Sequence, residues 1–182
     1  MTELVDAHDP RLVLVAGDVR MVELLQEAAT KRVLERLRVI GGGTRGEDGS
    51  DEDRKQAAMR MAATAVAEDT VALLQKFEEE RGQGDLAVEG AGATLDALAK
   101  AQVEVLLLYD DPDDERSAWF VPERVHVANN ADDLRALGVE APREGRLVDV
   151  ALRAELGTGA GVRIVPQHGP IADGIGGLLR WR

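Results

Sequence analysis

The apolar positions change period along the chain, and the changes mark its elements. Residues 12–16, LVLVA, form a short continuous apolar run ending at Gly17-Asp18. Such a run predicts a strand buried on both faces. From Val19 the period lengthens: Val22, Leu25 and Ala29 fall three or four apart, which predicts a helix over 19–29 with Asp18 as its N-cap. A helical turn over 31–35 leads into 37–40, where Leu37 and Val39 alternate with Arg36 and Arg38 as in a strand exposed on one side. Gly41-Gly42-Gly43 ends it.

Ser50 followed by Asp53 resembles a capping box, and residues 51–81 contain neither Pro nor Gly. Ala58, Met61, Ala65, Leu73, Leu74 and Phe77 keep a broadly helical spacing there. About 30 helical residues would span roughly 45 Å, long enough to link two domains. Gly82-Gln83-Gly84 is expected to break this helix, and Asp85 to cap a second one through Val88, Ala91, Leu95 and Leu98 to Lys100. Gly90 and Gly92 weaken that helix by about 1 kcal/mol each relative to Ala, which points to close packing.

Residues 103–109, VEVLLLY, are the most strand-like stretch, stopped by Asp110-Asp111-Pro112. A weaker strand is expected at 125–128, and a short helix at 132–137 ending at Gly138 in the C′ position. Val148, Ala151, Leu152 and Leu156 predict an amphipathic helix over 147–156 that ends at Gly157. Residues 162–165 and 177–181 read as strands, and no internal repeat is visible. The alternation predicts an α/β layered domain over residues 83–182.

At 182 residues the chain holds one large domain or two small ones. It has no cysteine, which excludes disulfides, thiolate zinc sites and cysteine nucleophiles. His8, His126 and His168 are scattered, with no helical H-x-x-x-H pair. No apolar run approaches the roughly 18 residues of a membrane span. Glu3, Asp6 and Asp9 stand where a secretory signal carries basic residues, so a soluble cytoplasmic protein is expected.

The net charge of −12 argues against duplex DNA binding, which requires a basic face. Its distribution is uneven. Residues 141–182 hold six arginines against four acids, net +2, so residues 1–140 carry −14. Four lysines against 18 arginines reflect genomic nucleotide bias as readily as selection for phosphate contacts.

The chemical motifs are weak. V-A-G-D-V-R has one glycine where a dinucleotide turn needs three, and Gly157-Thr158-Gly159-Ala160-Gly161 lies after a helix, as a C-cap and turn would. Asp110, Asp111, Asp113, Asp114 and Glu115 follow a strand, where hard oxygen ligands would suit Mg²⁺; a solvated turn is the simpler reading. Ser50 and Ser117 are outside any G-x-S-x-G motif, and His126 reads as a satisfied structural histidine. Arg180-Trp181-Arg182 pairs an aromatic with guanidinium groups able to stack on RNA, although a Trp closing a strand is more often a core anchor. No catalytic residue, metal ligand or cofactor site is assigned from motifs.

The string of segments is more specific. DGSDED before the long helix, GDLAVEGAGATLDAL, VEVLLLYDDP, Trp119, DDLRALGVEAPREGRLVDVALRAELGTGAGVRIVP and DGIGGLLRW together resemble the C-terminal part of the bacterial branch of the archaeo-eukaryotic release factor and Pelota superfamily. The resemblance runs from residue 11 to residue 182. It implies that residues 11–65 are the second half of a ribonuclease-H-like central domain. Residues 70–182 would be a C-terminal α/β/α sandwich like that of kink-turn-binding ribosomal proteins. The expected division is thus 1–68, including most of the linking helix, and 69–182.

Family members carry an N-terminal domain and earlier central strands before these parts. The expectations left open are a truncated gene, a misplaced start or one piece of a split protein. The peptidyl-releasing members use a Gly-Gly-Gln loop. Here Gly41-Gly42-Gly43-Thr44 has no Gln, and Arg81-Gly82-Gln83-Gly84 has one glycine before it. The resemblance therefore implies a non-catalytic, ribosome-associated protein in hibernation or stalled-ribosome handling. Its partners would be the ribosome and a translational GTPase, with limited ribosomal RNA contact, no DNA and no membrane. Arg143, Arg146, Arg153, Arg163 and Arg180 are the expected RNA- or partner-contacting residues. Two alternatives stand beside it: a Mg²⁺-dependent phosphoryl-transfer or nuclease-like enzyme using the Asp110 to Asp114 cluster, and an orphaned protein-interaction domain.

Overall fold

A computed structural model describes residues 2–40, 51–122, 125–167 and 169–182. The chain divides into two compact units, residues 1–69 and 70–182. Both are mixed α/β, the class read from the sequence.

The first unit opens with α1 (Thr2–His8) and β1 (Val13–Val15), followed by α2 (Val19–Ala28), α3 (Lys31–Arg36) and β2 (Leu37–Val39). Asp18 caps α2 as expected, its carboxylate accepting from the Arg20 N–H at 2.9 Å. The strands pair in parallel, with Val13 opposite Leu37 and Val15 opposite Val39. Two parallel strands leave one of the two backbone edges of each strand outside the ladder. Accordingly β1 is only half-buried throughout, against the expectation of a strand covered on both faces. Val5, Val33 and Leu37 form the small core, with Val13, Val15, Leu25 and Ala29 against it. Charge supplements it: Arg32 reaches Asp6 at 3.2 Å and Asp9 at 2.5 Å, and Arg36 reaches Asp9 at 2.6 Å. The capping box at Ser50 and the Gly41 to Gly43 turn lie outside the described residues.

Helix α4 (Asp51–Gln83) has 33 residues, about 50 Å of helix. Asp51, Glu52 and Asp53 occupy its first turn and Arg81 its last, matching the helix dipole at both ends. It runs through Gly82 rather than breaking there; Gly84, at φ +67°, takes the left-handed turn.

The second unit contains β3 (Ala87–Glu89), α5 (Ala91–Ala99), β4 (Val103–Tyr109), β5 (Ser117–Phe120), β6 (Val127–Ala128), α6 (Ala131–Ala136), β7 (Arg143–Arg146), α7 (Leu147–Thr158), β8 (Gly161–Val165) and β9 (Ile175–Leu179). Its main sheet has the order β3-β9-β4-β8, with only β4·β8 parallel. A second sheet, β6-β5-β7, is antiparallel. Alternation along β4 divides the core. Leu106 and Leu108 join Leu95, Leu98, Leu147, Val150 and Ala151 from α5 and α7. Leu107 joins Phe77 of α4, Val165, Ile171 and Leu178. Helices on both faces of one sheet make the α/β/α sandwich.

Several expected boundaries move. The helix forecast from Asp85 is a strand first, β3, because residues 87–89 pair with β9; α5 starts only after Gly90, whose φ of +81° favours glycine. The last strand is Ile175–Leu179, not 177–181, and Trp181 is half-exposed rather than a core anchor. Gly176 permits that strand's central place, since a Cβ there would sit 2.9 Å from the Val88 carbonyl oxygen. Helix α7 continues through Gly157 to Thr158, and its left-handed cap is Gly159 at φ +69°. Its buried stripe is Leu147, Val150, Ala151, Ala154 and Glu155, while Leu156 is 80% exposed.

Candidate functional site

The second unit assembles a charged surface from β5, β7 and α7. Register sets Phe120 opposite Arg143 and Ser117 opposite Arg146. Successive strand residues alternate faces, so Arg143 shares the Phe120 face and Arg146 the other. From α7, the Arg153 guanidinium lies 5.4 Å from the centre of the Phe120 ring and donates to the Pro122 carbonyl. Arg153 thus makes a cation–π contact with Phe120, and Arg143 stands opposite the same residue across the strand pair.

On the other face Asp114 is the hub. Its carboxylate accepts from Arg116 Nε at 2.8 Å, Arg116 Nη2 at 2.7 Å and the Arg116 N–H at 3.0 Å. Arg146 Nη2 donates to the Asp114 carbonyl at 3.3 Å. The hydrogen-bonded Arg116 holds the Asp114 carboxyl below its ordinary pKa range, against the opposing effect of burial. Ser117 donates to Glu144 at 2.6 Å.

The remaining two expected contacts lie elsewhere in this unit. Arg163 is on β8 opposite Leu107, the sheet face that packs Phe77. Arg180 follows β9, its N–H donating to the Gln102 carbonyl at 2.7 Å. Of the five arginines, the structure brings Arg143 and Arg153 together, sets Arg146 behind them and separates Arg163 and Arg180.

Beside Arg153, a cavity of about 590 Å³ is lined by Pro122, Val125, Asp149, Leu152, Arg153, Leu156 and Gly157. One acid, one base and an apolar floor suit a protein surface better than a polyphosphate. In the acidic cluster Asp114 is paired with Arg116, and among the described residues no three acids or histidines converge as a cation site would need.

Sequence reasoning missed Glu155. It is fully buried, neither carboxylate oxygen has a hydrogen-bond partner among the described residues, and burial pushes its pKa up to about 7 while Arg180 pulls the other way. The signal was present: Leu147, Val150, Ala151, Ala154 and Glu155 share one helical stripe, shifted by one position from the stripe read from the sequence. The buried Nδ1 of His126 likewise has no hydrogen-bond partner among the described residues.

The bacterial archaeo-eukaryotic release factor family 2 matches residues 1–83. An uncharacterized Mycobacterium tuberculosis protein is 30% identical over 183 aligned positions, covering 100% of this chain and 48% of the relative. The chain therefore spans about half the length of that curated relative. Among solved structures, archaeal Pelota, from a model of the ribosome-bound protein with ABCE1, has a TM-score of 0.56 at 16% identity. That likeness covers 100% of this chain and 46% of Pelota and extends to the fold. The similarity to the bacterial archaeo-eukaryotic release factor family 2 thus lies in the first 83 residues, and the likeness of the whole chain to Pelota is one of fold.

Proposed function

We propose that this protein is a ribosome-associated translation factor without peptidyl-releasing activity of its own, acting in hibernation or in the handling of stalled ribosomes. The observation that carries the reading is the family match over residues 1–83. The Pelota-like fold supports it, because the Pelota of that comparison is ribosome-bound. These 182 residues contain no Gly-Gly-Gln tripeptide, which supports a role other than ester hydrolysis.

The second unit supplies two surfaces for this role. Arg143 and Arg153 beside Phe120 suit ribosomal RNA or an acidic protein patch. The adjoining apolar cavity suits a protein partner such as a translational GTPase. The strongly acidic remainder limits RNA contact to local patches.

Sucrose-gradient sedimentation of the tagged chain from stationary-phase lysate tests the reading. Co-migration with ribosomes that disappears at high salt is expected; absence from every ribosomal fraction overturns it. The doubly substituted R143A/R153A chain should bind ribosomes with a shallower salt dependence, and an unchanged slope removes these two arginines from the interface.

A further inference from the structure

In the first unit, α4 and the neighbourhood of β1 and β2 enclose a cavity of about 360 Å³ whose lining includes Arg11, Arg38, Arg60, Glu68 and Asp69. The charges are unevenly committed. Arg11 is ion-paired with Asp69. Arg38 uses only Nη1, donating to the Glu35 and Leu37 carbonyls at 3.0 and 2.9 Å. The Arg60 guanidinium has no hydrogen-bond or ion-pair partner among the described residues.

Their spacing separates them from the committed pair. Arg60 lies nine helical residues before Asp69, about 13 Å along α4. Arg38 pairs in register with Leu14, three positions past Arg11, about 10 Å along the strands. One cavity is lined by all of these residues, the ion pair and the two underused guanidinium groups together. With Asp69 taken by Arg11, the lining sets Arg38 and Arg60 against the single carboxylate of Glu68, a net positive charge that an oxyanion matches, and phosphate oxygens accept from guanidinium forks bidentately. Leu12, Met61 and Ala65 add an apolar floor in the same cavity, which a free inorganic anion would not use and a ribose or base would.

We propose that Arg38 and Arg60 form a binding site for a phosphodiester of single-stranded RNA, with Leu12, Met61 and Ala65 carrying the adjoining nucleoside. The site rests on the translation-factor reading for the choice of RNA, and it lies apart from the arginines assigned there. Both side chains are exposed, so the strand reaches them without opening the unit. The contact is short-ranged by necessity: at physiological salt the screening length is about 8 Å, which confines the repulsion from the acidic remainder of the chain.

Fluorescence anisotropy of a labelled single-stranded RNA oligonucleotide with the full chain, across a salt series, tests the site. The R38A/R60A chain should bind at least about tenfold more weakly, the loss of two charge-assisted contacts. Its log–log salt slope should be shallower by about 1.4, two phosphate contacts on a single strand. R60K should lose part of the affinity yet keep the parent's salt slope, because an ammonium keeps the charge but not the bidentate fork. Circular dichroism should show the exposed substitutions unchanged in fold.

Equal affinity and slope for parent and R38A/R60A overturn the proposal, as does a parent chain that binds no RNA. Stabilisation of the parent by inorganic phosphate without RNA binding overturns the RNA assignment in favour of a small-anion site. Sedimentation separates the two readings: ribosome co-migration without oligonucleotide binding removes this site alone, whereas RNA binding lost in R38A/R60A without ribosome co-migration removes the translation role alone.

Discussion

The two units solve the same problem with unequal means. Residues 70–182 bury one four-stranded sheet on both faces, and Leu106, Leu107 and Leu108 are wholly enclosed. Residues 1–69 have a two-stranded sheet whose first strand is half-buried, a core centred on Val5, Val33 and Leu37, and an exposed arginine–carboxylate network. Isolated pairs of strands are marginal in water, and exposed ion pairs add little. The contrast teaches that stability is concentrated in the second unit, while the first depends more on pairing groups that salt and pH can reach.

Both tryptophans, Trp119 and Trp181, lie in the second unit, so their fluorescence follows that unit while far-ultraviolet circular dichroism follows both. The largest effect is expected from Leu107→Ala. It empties a fully buried position between β8 and β9 and should cost about 3 to 5 kcal/mol, seen as an early fluorescence transition in urea. If the fluorescence midpoint stays put, the assignment of the stable core to this sheet is broken.

Glu155 gives the next effect. Its pKa in the folded chain is raised from about 4.5 to about 7, so it contributes most favourably below pH 4.5. Between pH 4.5 and 7 the unfolded chain ionises first, and stability is lost as pH rises through that window. The accumulated loss is about 3 kcal/mol, on the order of two pKa units. Relative to the parent, Glu155→Gln should flatten this part of a fluorescence-detected stability profile. Parallel profiles would show that Glu155 is solvated or paired in solution.

Asp114→Asn should cost about 1 to 3 kcal/mol by weakening the Arg116 fork, read by urea titration at pH 7. Because the Asp114 pKa is depressed, the parent's advantage should be present above pH 3.8 and fade as pH falls below it. An unchanged midpoint would reduce the fork to a surface contact.

The smallest effect belongs to the first unit. Arg32, and after it Arg36, hold the exposed Asp9 carboxyl below its ordinary pKa. Asp9→Asn should speed amide exchange in α1 and α3, more at low salt than at high salt, with the fluorescence transition unmoved. Equal exchange at all salts would deny the network a part in holding that unit.

Legibility in the sequence followed burial. VEVLLLY announced β4 because a central strand is apolar on both faces, and the Asp18 cap announced α2. Strand β7, Arg-Glu-Gly-Arg, carried no such signal: backbone pairing with β5 makes it a strand, and a Cβ at Gly145 would sit 3.2 Å from Val150 and 3.4 Å from Phe120. Strand β3 was read as helix for the same reason, since its pairing with β9 depends on residues about 90 positions away. The candidate arginines were nameable from charge alone. That Arg143 and Arg153 meet at Phe120 while Arg163 faces another layer was not, because sequence distance carries no information about sheet register.

The sequence by itself determined the mixed α/β class, the long central helix, the buried strand β4, the absence of cysteine chemistry and the acidic balance, each a property of local pattern or composition. Tertiary structure decided which strands pair, which face of α7 is buried and which charges find partners. Those outcomes are set by long-range backbone hydrogen bonds and by burial, which left Glu155 and Arg60 without side-chain partners among the described residues.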